Sequence, residues 1–156
     1  MAALAQSGWA YWCDDMVPVN TQKRVGPVPL SHCIKSGSWD VLAPYYKGLE
    51  KLPVFNRGDK EVRYLVPSQD SHHFSETQPV HSLVFPLYTP GNPQRLLPIS
   101  PVEGLQRLVE AQSWISPDPA HAGEMIHWIS TIPIYTLKYN SLDWAIIQLN
   151  QLVRHT

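Results

Sequence analysis

Hydrophobic and polar positions change period several times along the 156 residues, and each change marks an element. Met1 to Ser7 is rich in Ala and Leu, which favour helix. Gly8 stands where a residue just past a helix end would stand. Trp9 to Cys13 is a wholly apolar run of strand length ending in Asp14-Asp15. It reads as a buried strand that releases two carboxylates at its end. Met16 to Asn20 continues extended, Thr21 to Arg24 is polar and turn-like, and Val25-Gly26-Pro27-Val28-Pro29-Leu30 is an extended edge segment. Ile34 to Ser38 leads into a short helix from Trp39, with Ser38 as N-cap and Pro44 as its limit.

The second half is more regular. Arg57 to Lys60 is a turn, and Glu61 to Val66 alternates polar and apolar as a strand does. Pro67 to Val80 is rich in Ser, Gln and His and carries no period. Ser82 to Tyr88 is a strand closed by the turn Thr89-Pro90-Gly91-Asn92-Pro93, and Arg95 to Ile99 is another. Ser100-Pro101 with Glu103 opens a helix as a cap, a proline and an acid three on from the cap. Its stripe is Val102, Leu105, Leu108 and Val109. Ala120 to Ile129 is a further helix, Ile132 to Tyr139 is a strand whose Pro133 argues for an edge or a start, and Ser141 opens a last helix. The expected fold class is mixed α/β, a single domain over residues 1–156.

Composition narrows the function. The chain is 44% hydrophobic and 16% charged, and 12 basic against 13 acidic residues leave a net charge of -1. That provides a core and argues against a polybasic nucleic-acid surface. The 15 prolines are about twice the average share of ~5%, which argues against a helical bundle. Cys13 and Cys33 make neither a disulfide framework nor a cysteine-rich zinc site. No apolar run approaches the ~18 residues of a membrane span, and the N-terminus lacks a basic secretory n-region, so a cytoplasmic location is expected.

Asp14-Asp15 is the strongest local feature. Adjacent strand residues face opposite ways, but at a strand end both carboxylates can reach one cleft. Such a pair can hold Mg²⁺ and accept a proton; the plainer alternative is a turn cap beside a solvated acid. Lys35 is the best candidate for a phosphate-neutralising lysine, with a solvated surface lysine as its alternative. His72, His73 and His81 could ligate a metal, although neighbouring histidines rarely share one ion. His121 and His127 lie six apart, out of helical register. Arg95 and Arg107 could clamp phosphate but fit a surface role better. Trp9, Trp12, Trp114, Trp128 and Trp144 read as core or interface packing residues, and Cys13 as a small apolar filler.

Asp14-Asp15-Met16-Val17-Pro18-Val19, Val25 to Leu30, and Ile34-Lys35-Ser36-Gly37-Ser38 together resemble the HPr kinase/phosphorylase family. They are closest to its HPr-kinase-related branch. Tyr64 to Pro67, Val84-Phe85-Pro86 and Pro98-Ile99-Ser100-Pro101 continue the same order over nearly the whole chain. The resemblance implies a PEP-carboxykinase-like P-loop fold and Mg²⁺-dependent phosphoryl transfer from ATP to a protein or small hydroxyl acceptor. Asp14 and Asp15 would be the catalytic and metal-binding pair, Lys35 a nucleotide-side residue, and self-association would be expected. No G-x-x-x-x-G-K-[ST] motif occurs in the sequence. The expectation is therefore the C-terminal part of such a kinase, with weak ATP binding by this chain alone. A non-catalytic remnant or interaction module is the alternative, and a metal-dependent hydrolase using the aspartates and histidines is a third.

Overall fold

A computed structural model describes residues 1–28, 30–66, 76–114 and 116–154. The fold is mixed α/β, with several small sheets and helices over two compact units, Met1–Gln78 and Pro79–Thr156.

The first unit contains α1 (Ala2–Gln6), β1 (Arg24–Val25), β2 (His32–Lys35), α2 (Trp39–Leu42), β3 (Phe55–Arg57) and β4 (Lys60–Leu65), and β5 (Gln78–Pro79) falls at the boundary. β2, β4 and β3 form an antiparallel sheet in that order, with His32 opposite Leu65, Cys33 opposite Tyr64, and Phe55 opposite Val62. The β3–β4 hairpin turns at Gly58, whose φ is +65°, a conformation that glycine adopts without a Cβ clash. Leu42, Leu49, Val62, Leu65 and Ile34 are buried and supply the core of this unit. Trp39 donates its indole N–H to the Ile34 carbonyl at 3.1 Å, and the Arg63 guanidinium lies 4.0 Å from the Trp39 ring centroid, a cation–π contact.

Two expectations change here. Trp9 to Cys13 is extended but is not a strand. The chain beside it contains Pro27, which has no N–H to offer a ladder; a cross-chain bond runs from Val28 N–H to the Trp12 carbonyl at 2.8 Å. Ser38 does precede α2, but its side chain makes no capping bond, because a 3-10 turn over Ser36–Ser38 already leads into the helix.

The second unit contains β6 (Leu83–Tyr88), β7 (Arg95–Pro98), α3 (Pro101–Glu110), α4 (Pro119–Thr131), β8 (Ile134–Tyr139) and α5 (Leu142–Arg154). β8 lies between β6, to which it is parallel, and β7, to which it is antiparallel. Pro133 stands just before β8, so it removes no N–H from the centre of the sheet. Ile134, Thr136 and Leu137 of β8 are buried. Caps fix the helix starts. The Ser100 hydroxyl accepts from Glu103 N–H at 3.2 Å, and the Asp118 carboxylate accepts from Ala120 N–H at 2.8 Å. Glu103 pairs with Arg107 at 2.7 Å, so the phosphate-clamp alternative for Arg107 is not needed. Trp114 is 82% exposed, so of the core or interface packing expected of it, the core role does not hold.

Gly104 lets α3 approach β8 closely, since a Cβ there would sit 2.6 Å from Ile134 Cδ1. Gly104→Ala is expected to destabilise the protein by about 1 kcal/mol, overpacking of about 1–3 kcal/mol outweighing the gain in helix propensity. Gly123, in α4, has nothing within 4 Å of its Cβ position. Gly123→Ala is expected to stabilise by about 0.5–1 kcal/mol. Urea denaturation checks the pair; equal shifts in both variants would refute the close approach.

Candidate functional site

The site begins with the end of α1. Gly8 N–H donates to the Ala5 carbonyl at 3.3 Å and Trp9 N–H to the Leu4 carbonyl at 3.2 Å. This is a Schellman closure, and it needs the left-handed φ of +94° that Gly8 adopts. The turn sends Trp9 to Cys13 away from α1 with Tyr11 and Cys13 buried. The Tyr11 hydroxyl donates to the Leu30 carbonyl at 2.9 Å. α1 itself is anchored by burial of Ala2 and Ala3 and by the Tyr46 hydroxyl, which donates to the Ala2 carbonyl at 2.9 Å.

Asp14 and Asp15 follow at a bend, Asp14 half-buried and Asp15 exposed. Their surroundings differ. Burial pushes the Tyr11 phenol up to about 12, and the negative charge of Asp14 adds to the effect, with smaller contributions from Cys13 and Asp15. Burial, reinforced by Asp14, also raises the Cys13 thiol. Burial lowers the Met1 ammonium and the His32 imidazole, and in both the Asp14 charge opposes the shift. One carboxylate thus acts on Met1, Tyr11, Cys13 and His32 together. His32 is 2% exposed, and its ring centroid lies 3.9 Å from that of Tyr11.

Asp15 has a second neighbourhood. Arg57 donates from Nη1 to Cys33 Sγ at 3.5 Å. Its pKa is raised first by that bond and the Cys33 charge, then by Tyr64 and Asp15. Alternate strand residues share a face, so Cys33 and Lys35 of β2 lie on the face of Tyr64, whose ring centroid is 5.6 Å from that of Phe55. Lys35 is exposed at the end of β2. It belongs with the Arg57 side of the sheet, on the face opposite to His32.

Two participants escaped sequence reasoning. His32 sits in Ser31-His32-Cys33-Ile34-Lys35, whose alternation is a strand signal once Ile34 is taken as inward. Arg57 was read as a turn residue, although it ends the strand before Gly58-Asp59. Of the histidine candidates, His81 is exposed, and His72 and His73 lie outside the described residues.

Among the described residues, no group of three or more His, Cys, Asp or Glu could hold a metal ion by itself. No helix among the described residues is long and apolar enough to cross a membrane. No family model, curated protein or solved structure matches the chain.

The His32 shift has a consequence for stability. The unfolded chain protonates His32 near 6.5, whereas the folded protein resists until lower pH. The stabilisation from the buried neutral ring is therefore complete above about pH 6.5 and is lost as the pH falls through that window. The urea midpoint is expected to drop between about pH 7 and pH 5, and His32→Gln to lessen the drop. An equal drop in the variant would assign it to other groups.

Proposed function

We propose that the chain is the aspartate-bearing part of an ATP-dependent, Mg²⁺-assisted phosphotransferase of the HPr-kinase-related type, with a PEP-carboxykinase-like nucleotide fold. The observation that carries this reading is the acid pair itself, Asp14 half-buried and Asp15 exposed, which follows the Gly8 turn at the end of α1 and a stretch with Tyr11 and Cys13 buried. In P-loop kinases the phosphates sit before a helix N-terminus, and a carboxylate from the next strand faces them. The order here is α1, the Gly8 turn, a buried stretch and an acid pair, which parallels that arrangement except that the stretch is not a strand.

The two carboxylates take different roles under this reading. Asp14, half-buried, is the metal-side residue. Asp15, exposed, orients the acceptor hydroxyl and takes its proton as the acceptor oxygen bonds to the γ-phosphorus and ADP leaves. Mg²⁺, when bound, supplies neutralisation of the phosphate charge. Lys35 and Arg57, on one face of the β2–β4–β3 sheet, supply positive charge for an anionic substrate. A second reading, a non-catalytic interaction module, is favoured by one observation: no G-x-x-x-x-G-K-[ST] occurs in the 156 residues.

Without that cradle the ligand lacks several charge-assisted hydrogen bonds, each worth about 1.5–3 kcal/mol. Calorimetric titration of this chain with Mg·ATP is expected to show no micromolar binding, and micromolar binding would contradict this account. The codons immediately upstream of Met1 separate the two readings: an in-frame P-loop motif supports the kinase, and a stop codon there supports the module. In a chain that includes such a motif, Asp14→Asn and Asp15→Asn are each expected to lower phosphoryl transfer by about 10²-fold or more with unchanged melting temperature. Full activity in both variants would remove the assigned roles.

A further inference from the structure

We propose that the face of the β2–β4–β3 sheet carrying Phe55 and Tyr64 is a binding surface for a single-stranded nucleic acid, with bases stacked on the two rings and phosphates held by Lys35, Arg57 and Lys60.

The strand register collects these side chains. Residues directly opposite in an antiparallel pair share a face, as do alternate residues along one strand. Cys33 is opposite Tyr64, Lys35 and Phe55 are both opposite Val62, and Arg57 is opposite Lys60. All therefore lie on one face, whereas the buried His32, Ile34 and Leu65 lie on the other. Val62, in the central strand, is the buried member of the first face. Around it, Phe55 and Tyr64 stay 48% and 39% exposed, with 5.6 Å between their ring centroids. Lys35, Arg57 and Lys60 are exposed.

The strands contribute charge of one sign to this face. Neither Lys35 nor Lys60 forms an ion pair with a described residue. Arg57 gives an N–H to Cys33 Sγ, which leaves most of its guanidinium donors for a ligand. Arg57 and Lys60 stand directly opposite each other across the turn at Gly58 and Asp59. Like charges so placed are destabilising, and a bound anion relieves them. Glu61, paired with Asn56, lies on the other face, so the net charge of -1 conceals the segregation. Asp15 adds a negative charge near Arg57 from outside the sheet.

The occupant follows from the combination. Cations alone would suit any anion. Exposed rings among them select a polyanion that also has flat faces to stack, as unpaired bases do. A free nucleotide is held in a concave site that encloses most of it, whereas successive bases of a strand add their stacking along a surface. An acidic peptide would meet the cations and leave the rings unused. This inference does not rest on the phosphotransferase reading, in which Phe55, Tyr64 and Lys60 have no part.

Fluorescence anisotropy of a labelled oligouridylate, titrated with the full chain, tests the proposal. Binding is expected, and it should weaken by about 20-fold between about 50 and 200 mM salt, as contacts from these three cations to a single strand require. Phe55→Leu and Tyr64→Leu, which keep apolar volume, should each weaken binding by about tenfold. Lys60→Gln should reduce the salt dependence by one contact's share. Circular dichroism melting identifies any variant that fails to fold, and competition on the natural chain then decides the matter without it. Polyglutamate and an RNA duplex of the same length should each displace the oligouridylate poorly. Effective displacement by polyglutamate would assign the face to an acidic protein partner and overturn the proposal. Equal displacement by the duplex, unchanged affinity in both folded ring variants, or no binding at the lower salt would overturn it as well.

Discussion

The left-handed closure at Gly8 is the constraint from which the site follows. A five-residue helix is too short to persist alone in water. α1 persists because its end is capped by two backbone bonds and its small side chains are buried. Any residue with a Cβ would be strained at a φ of +94°. The same turn sets the direction of the chain through Trp9 to Cys13, and so determines where Asp14 and Asp15 emerge. Without that turn, the acid pair would have no fixed relation to the start of α1 or to the sheet.

Proline shapes the next layer. An extended segment usually gains order from a ladder of backbone bonds, and Pro27, with no N–H, interrupts one beside Trp9–Cys13. Individual contacts replace it: Trp12 with Val28, the Tyr11 hydroxyl with Leu30, and the Tyr11 ring with His32. The segment is therefore held at specific points by side chains. Its order depends on Tyr11 in particular, which joins the Leu30 backbone and the His32 ring from a single position.

Elements with strong local signals were legible in the sequence. Ser100-Pro101, the alternation around Tyr64, the helical spacing after Ser141 and the glycine at the end of α1 all report short-range physics, and the structure contains them. The illegible parts depend on distant residues. Trp9 to Cys13 has the composition of a strand, and its failure to become one traces to Pro27, about 15 residues away in the chain beside it. Ser38 has the right chemistry for a cap, but a preceding 3-10 turn took over the helix start. His32 and Arg57 carry no motif. Their importance comes from which groups the fold sets beside them, and a single sequence does not state pairing. The aspartate pair was visible because two adjacent acids after an apolar run are unusual in themselves.

The two acids are adjacent in sequence yet physically inequivalent, and this asymmetry is what makes the pair chemically interesting. Asp14 acts on the buried Tyr11, Cys13 and His32, where weaker solvent screening lets one charge influence several neighbours. Asp15 is exposed and within the influence of Arg57, itself exposed, so its interactions are screened and its side chain is free to follow a substrate. A carboxylate held by its surroundings suits a fixed task such as orienting a bound group, whereas an exposed one suits proton exchange with what arrives. Under the proposed reading, one bend thus provides both tasks because it leaves one acid half-buried and the next in water.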